Sequence, residues 1–216
     1  MNLKARSFLL IGTPLALAGL LTFHPEGDGR IYDGVRDHVT AWLVVHIGLA
    51  LGAVLMAIAL HQLVRGLPGR AASLTRALLA PFVVAFLAWE GFTGIQTGLL
   101  THEANGLPAG PERETAAVNI QDHFTNPIIG DPSVMSMIAN GAWITAVVAA
   151  GIAFRRAGVG TAPTVLLCMA TLFTAHSVIV GSIGLACFAA AALLVERRRQ
   201  RAPAADLSPR QEPRLA

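Results

Sequence analysis

The sequence predicts an all-α integral membrane protein, a six-transmembrane-helix bundle whose N and C termini are both cytoplasmic. Three observations predict this fold class. Hydrophobic residues make up 54% of the 216-residue chain and charged residues only 13%, whereas soluble proteins carry about 25% charged residues. Apolar runs of bilayer length recur, and the mean hydropathy is +0.58. Arginines are grouped beside the ends of these runs, which is the charge pattern of cytoplasmic loops.

The first predicted span, about residues 8–23, follows a short basic N-terminus that contains Lys4 and Arg6. The triplet from Ala16 to Ala18 also resembles the cleavage site of a signal peptide. Because the apolar run continues beyond that triplet, a retained span is favoured over a cleaved signal. Both alternatives place the chain from residue 24 onward on the outer side.

The second and third spans are predicted at residues 41–64 and 78–100, since each run reaches the about 20 residues that a bilayer crossing needs. A short basic connection containing Arg65, Arg70 and Arg76 joins them. This connection is therefore placed on the cytoplasmic side.

Two longer polar loops, residues 24–40 and 101–131, contain short amphipathic patterns that predict helices lying on the membrane surface. Tyr32 and Trp42 are then expected at headgroup depth, where amphipathic rings are favoured. Asp131 is predicted to cap the N-terminus of the following helix, with the proline after it at the first helical position.

A fourth span is predicted at residues 132–154. The next apolar run, residues 161–195, is too long for one span. One oversized helix would place Arg197 and the arginines after it outside, so a hairpin of two spans at residues 161–178 and 181–195 is favoured. With six spans, the basic residues on the inner side are Lys4, Arg6, Arg65, Arg70, Arg76, Arg155, Arg156 and the arginines at 197, 198, 199 and 201.

Residues 1–201 therefore form one transmembrane domain of a multi-pass protein in the cytoplasmic (plasma) membrane. Residues 202–216 are predicted to be a disordered cytoplasmic tail. The pI of about 9.5 does not indicate nucleic-acid binding, because the arginines lie at span ends and not along one helix face. The expected partner is the lipid bilayer. Gly-rich helix faces, as at Gly48 and Gly52, also suit another membrane protein or a second copy of this chain.

A carboxylate interrupts the third span. Glu90 lies about ten residues from either end of an apolar run, roughly 15 Å deep. An ionisable group at that depth is a candidate functional residue if it has a polar partner. His46, Asn140 and His176, from three other spans, have compatible depths. With Thr93 and Thr97 on the face of Glu90, a polar pocket open to the outer side is predicted from His46, Glu90, Thr93, Thr97, Asn140 and His176.

Three functions fit such a pocket. The favoured one is a structural or accessory membrane subunit in which Glu90 is hydrogen-bonded between helices. A second is a proton-coupled small-molecule transporter or a membrane enzyme that uses Glu90. A third is a transition-metal or haem site with His46 and His176 as ligands. No GxSxG, P-loop or HExxH motif occurs, so no enzyme class is indicated.

Overall fold

The computed structural model describes residues 3–25, 29–175 and 177–201. The predicted tail, residues 202–216, and His176 lie outside these ranges. The described residues are organised as helices, without a β-strand among them. In chain order we name the helices α1 (Lys4–Leu21), α2 (Ile31–Val35), α3 (Val39–Val64), α4 (Arg70–Asn105), α5 (Pro111–Phe124), α6 (Val134–Arg156), α7 (Thr161–Thr174) and α8 (Val178–Arg201).

Five of the described helices, α1, α3, α4, α6 and α8, are long and apolar enough to cross a membrane. Large apolar side chains stay exposed along them, among them Leu51 (65%), Val84 (69%) and Ile179 (71%). Soluble monomers rarely expose apolar surface on this scale, whereas lipid-facing helices require it. The prediction of an all-helical chain with several membrane-length helices is confirmed.

Several helices extend beyond the spans predicted from hydropathy. The predicted span 78–100 is the middle of α4, which has 36 residues. Helix α8 begins at Val178 and continues through the arginine cluster to Arg201. Hydropathy marks where a helix can contact lipid, but backbone hydrogen bonding continues into polar residues beyond that limit.

Two helices occupy the last apolar run. Helix α7 ends at Thr174, and α8 begins at Val178. The two helices pack against one another. They approach closely at Gly184 of α8, where an added Cβ atom would lie 2.5 Å from the backbone nitrogen of Phe173. This glycine allows the close approach of the two backbones.

The bundle core lies between α4 and its neighbours, where Phe82, Phe86, Trp143 and Phe188 are fully buried. Small residues bring the helices together around it. Cβ atoms on Gly48 and Gly52 would overlap the side chains of Leu20 and Leu17, respectively. Gly48 and Gly52 of α3 therefore allow α1 of the same chain to pack closely against α3.

Arginines tie together one end of the bundle, which we call the basic end. The Arg6 guanidinium donates hydrogen bonds of 2.8 and 2.9 Å to the Glu196 carboxylate. Arg199 donates to the same carboxylate at 3.0 Å and to the Leu63 carbonyl at 2.8 Å. The start of α1, the end of α3 and the end of α8 therefore lie at the same end.

A small cap covers the opposite end, which we call the loop end. It consists of α2, α5 and the last turns of α4, packed around Tyr32, Ala104, Ala117 and Ile120. Tyr32 donates a 2.9 Å hydrogen bond to Asn105. Tyr32 and Trp42 are each only 4% exposed, so both rings contact protein; their position at headgroup depth stays a prediction. The predicted surface helices pack on each other and on α4, which buries these rings in protein.

Helix α6 begins differently from the prediction. Ser133, and not Asp131, is its N-cap: the Ser136 N–H donates to the Ser133 hydroxyl at 3.2 Å, and the Ser133 N–H donates to the Ser136 hydroxyl at 2.9 Å. This reciprocal capping box satisfies the free N–H groups at the helix start. The Asp131 carboxylate is therefore not needed as a cap.

Candidate functional site

A π-helical segment, Glu90–Gln96, interrupts α4 on the side that faces α3 and the cap. Such wide turns displace the backbone carbonyls from the regular α-helical ladder, and they occur frequently at functional sites. Side chains donate to two of these carbonyls: Trp42 Nε1–H to Gly94 at 2.7 Å, and His123 Nε2–H to Phe92 at 2.7 Å. Through these two hydrogen bonds, the π-helical segment of α4 is joined to α3 and to α5.

Glu90, the first residue of this segment, contacts His46 of α3. The His46 Nδ1 atom lies 2.6 Å from Glu90 Oε2. The two residues are 5% and 2% exposed, respectively. A contact this short between an imidazole nitrogen and a carboxyl oxygen requires a proton between them, and it is typical of a charge-assisted hydrogen bond.

Glycine makes this contact geometrically allowed. A Cβ atom on Gly94 would overlap the His46 ring, so a larger residue there would push the imidazole out of place. On another side, the Trp42 ring packs against His46 with the ring centroids 4.2 Å apart. The imidazole is therefore held by backbone on one side and by an aromatic ring on another.

A partly enclosed cavity of about 120 Å³ adjoins the pair. It is large enough for several water molecules or one small solute. Its described lining consists of three aromatic residues, two acids, two histidines, a threonine and a glycine: Trp42, Trp89, Phe124, Glu90, Asp131, His24, His46, Thr93 and Gly94. The His24 ring lies edge-on to His46, with centroids 5.2 Å apart.

The second ring nitrogen of His46 faces no described hydrogen-bonding group. Its Nε2 atom is buried and has no hydrogen-bond partner among the described residues. Buried polar atoms are nearly always hydrogen-bonded, to protein or to water. An unmade bond of this kind costs about 1–3 kcal/mol. The arrangement therefore presents one hydrogen-bonding position to whatever occupies the cavity.

The structure brings together three of the predicted pocket residues: His46, Glu90 and Thr93 all line the cavity. The Thr93 hydroxyl donates a 2.8 Å hydrogen bond to the Ile129 carbonyl, which fixes the loop that precedes α6. His176, predicted as a further pocket residue and as a metal or haem ligand, lies outside the described residues.

Two other predicted residues lie elsewhere. Thr97 is buried, but it is not among the described lining residues. The π-helical segment changes the angular spacing along α4, so the predicted face of Glu90, Thr93 and Thr97 does not continue as one α-helical stripe. Asn140 is half-buried on α6 and is also absent from the described lining. Equal depth does not place two residues on facing sides of their helices.

The cavity also contains residues that the sequence did not mark as pocket residues: His24, Trp42, Trp89, Phe124 and Asp131. The sequence did contain a signal for two of these residues, His24 and Asp131. His24 immediately follows the first apolar run, and Asp131 immediately precedes the fourth. Polar residues that flank different apolar runs can be brought to the same end of a helix bundle.

Within the described part of the chain, no group of three or more His, Cys, Asp or Glu side chains could hold a metal ion. The predicted His46 and His176 pair includes a residue outside that part, so it stays a prediction. The described geometry gives His46 a carboxylate as partner.

The electrostatics of the cap are dominated by ion pairs. Arg30 donates to Glu114 and, at 3.0 Å, to Asp33. The hydrogen bond to Glu114, followed by that to Asp33, raises the pKa of the Arg30 guanidinium. Arg30 is therefore a permanent cation whose charge is already paired.

Comparison with known proteins finds no family model that matches this chain, no similar curated protein and no similar solved structure.

Proposed function

We propose that this chain is a multi-pass membrane protein that couples the movement of a small solute to that of protons. The His46 and Glu90 pair is the group that takes up and releases the proton. One observation carries the proposal: His46 Nδ1 lies 2.6 Å from Glu90 Oε2, while His46 Nε2 is left without a partner among the described residues beside a cavity.

The pair can exist in two protonation states that an occupant distinguishes. With one proton, Nδ1–H donates to the Glu90 carboxylate, and Nε2 carries a lone pair. A second proton binds at Nε2 and gives an imidazolium beside a carboxylate. Uptake of that proton changes the net charge of the pair from negative to neutral, and it converts Nε2 from an acceptor into a donor. Binding of a solute that is hydrogen-bonded to Nε2 therefore depends on whether the pair has taken up the second proton.

We also propose the finer topology: six crossings of the plasma membrane, with both termini cytoplasmic. Two observations support it. The contacts of Arg6 and Arg199 hold the start of α1, the end of α3 and the end of α8 at one basic end, as the positive-inside tendency requires of a cytoplasmic face. Helices α7 and α8 form a hairpin, which returns the chain to that end. The cavity then opens toward the outer face.

The test measures proton movement in proteoliposomes that contain a pH-sensitive dye. A panel of small amines, carboxylates and neutral alcohols is added outside, and solute-dependent changes of internal pH are recorded. We expect at least one solute class to move protons, and we expect Glu90→Gln and His46→Gln to abolish the effect. Glu103→Gln is the matched control, since Glu103 lies on the same helix but outside the described lining of the cavity.

Infrared difference spectra of the purified protein, recorded between about pH 5 and about pH 9, test the pair without any solute. The difference between the wild-type and Glu90→Gln spectra should contain a carboxyl signal from Glu90 and a change in the imidazole signals of His46. An identical spectrum in both proteins would contradict the proposal.

A structural or accessory subunit is the second candidate, and specific contacts favour it. The Trp42 bond to Gly94 and the Thr93 bond to Ile129 join α3, α4 and the loop before α6, as hydrogen bonds between membrane helices do for stability alone. A partner subunit or second copy would need a helix face that is still open. A Cβ atom on Gly91 or Gly141 would meet nothing within 4 Å.

A further inference from the structure

We infer that a cleft at the basic end binds the headgroup phosphate of an anionic phospholipid. The cleft lies away from His46 and Glu90, so the proposed proton coupling can fail without affecting it. A lipid reaches the cleft if the ends of the membrane-length helices lie at a membrane surface, whichever side of the membrane that is.

The cleft lies where three parts of the chain meet: the connection after α3, the end of α6 with the turn that follows it, and the end of α8. Its volume is about 410 Å³, which is within the range of about 300–1,000 Å³ typical of ligand sites. No acid occurs among its described lining residues. The lining includes four apolar residues and two arginines: Leu67, Phe154, Val159, Val195, Arg198 and Arg199.

Arg198 is the cation whose donors are open to a ligand. Its guanidinium makes no hydrogen bond or ion pair with another residue of the described part of the chain. The guanidinium lies against the turn between α6 and α7, because a Cβ atom on Gly160 would lie 2.8 Å from both of its terminal nitrogens. Gly160 has a φ of +102°, which suits glycine. The planar fork of an arginine matches the oxygen geometry of a phosphate.

Arg199 is the second arginine of the cleft, and hydrogen bonds hold it in place. It donates to the Glu196 carboxylate at 3.0 Å and to the Leu63 carbonyl at 2.8 Å. These bonds use two of its five N–H donors. Glu196 also accepts two hydrogen bonds from Arg6, so one carboxylate faces two guanidinium groups. These three side chains therefore leave a net positive charge beside Arg198.

The surrounding segments add to this positive charge. The basic end is formed by the described segments 3–7, 63–76, 154–161 and 195–201. They contain two, three, two and four lysine or arginine residues, respectively, and a single acid, Glu196. Basic pockets between membrane helices are sites at which anionic lipid headgroups bind. The charge of this end therefore selects an anion.

The apolar part of the lining favours a lipid over a soluble phosphate. Leu67 and Val159 are half-buried at the cleft. Exposed apolar side chains continue along the nearby turns of two helices, with Leu74 of α4 and Ile152 of α6 each 45% exposed. The upper part of an acyl chain would cover this surface, as lipid does for other membrane-facing residues. Inorganic phosphate has no apolar part that could do so.

The experiment titrates the purified, delipidated full-length chain with lipid in a non-ionic detergent and counts bound lipids by native mass spectrometry. Phosphatidylglycerol is compared with phosphatidylcholine of the same acyl chains, whose choline group brings a positive charge toward the arginines. Glycerol 3-phosphate is added as a soluble competitor. We expect one saturable phosphatidylglycerol site, and binding of phosphatidylcholine at least about tenfold weaker.

Three results would overturn the inference. Equal binding of the two lipids would show that the negative charge is not recognised. Addition of phosphatidylglycerol without saturation would show that the lipid is bound by the detergent-covered surface in general. Displacement of the lipid by an equimolar amount of glycerol 3-phosphate would identify a site for soluble phosphates.

Variants locate the site. Arg198→Gln should weaken phosphatidylglycerol binding by about tenfold or more, because it removes a charged donor to the phosphate. Ala157→Trp fills the cleft without changing its charge, and it should weaken binding as well. Arg65→Gln is the matched control, an exposed arginine of the same end outside the described lining, and it should bind as the wild-type protein does.

Circular dichroism establishes that each variant is folded. If Arg198→Gln does not fold, Ala157→Trp tests the same cleft. Full binding in a folded cleft variant would overturn the assignment of the site, and so would an equal loss of binding in Arg65→Gln and Arg198→Gln.

Discussion

The imidazole of His46 and the carboxyl group of Glu90 lie 2.6 Å apart between two membrane-length helices. Both side chains are almost completely buried. The contact depends on a third residue, Gly94, because any Cβ atom there would overlap the imidazole. Since Glu90 begins the π-helical segment and Gly94 lies within it, the segment both carries the carboxylate and makes room for its partner.

Gly94→Ala should destabilise the protein although alanine favours a helix by about 1 kcal/mol over glycine. The added methyl group overlaps the His46 ring and must displace it. Gly91→Ala is the control, since its Cβ would meet nothing within 4 Å, and it should leave stability unchanged or slightly increased. Thermal unfolding in detergent measures both. Equal melting temperatures for the two variants would contradict this role of Gly94.

Substitutions of Glu90 should separate charge from hydrogen bonding. Glu90→Gln keeps an acceptor for His46 Nδ1–H, so we expect a loss of about 1 kcal/mol or less. Glu90→Leu removes the acceptor and leaves a second buried imidazole nitrogen unpaired, at a cost of about 1–3 kcal/mol more. Chemical denaturation of both variants provides the comparison. If leucine is tolerated as well as glutamine, the contact contributes little to the fold.

Ser133→Ala should lower stability by about 1 kcal/mol, because Ser133 is the N-cap of α6. Asp122→Asn is the control, since Asp122 is an exposed residue of α5, and it should leave thermal unfolding unchanged. Equal melting temperatures for Ser133→Ala and the wild-type protein would contradict the capping role of Ser133.

Cysteine labelling should report the topology. With Cys168 and Cys187 replaced by serine, single cysteines at Asp37 or Asp122 should react with a membrane-impermeant thiol reagent in intact cells. Cysteines at Ala157 or Ala204 should react only after the membrane is permeabilised. Reaction of the Ala204 position in intact cells would place the C-terminal side outside the cell, and it would exclude the arrangement with both termini cytoplasmic.

Much of the fold followed from composition and charge. Hydropathy located the membrane-length helices, and the arginines after the last apolar run favoured the break that separates α7 from α8. The same information placed Glu90 deep in a helix and restricted its partners to three residues of similar depth. The position of each helix and the depth of Glu90 within its helix both depend on the number of residues along the chain, which can be counted from the sequence.

The site itself depended on the rotation of each helix about its axis. His46 faces Glu90, while Asn140, at a similar depth, does not line the cavity. The π-helical segment changed the register of Thr97, and the capping box at Ser133 replaced Asp131 as the helix start. The inclusion of His24 and Asp131 in the cavity is likewise a result of packing. Hydrophobicity and charge act along one dimension, so they determined which segments are long and apolar enough to cross a membrane. Side-chain contacts between helices, which only the tertiary structure contains, decided which polar groups meet.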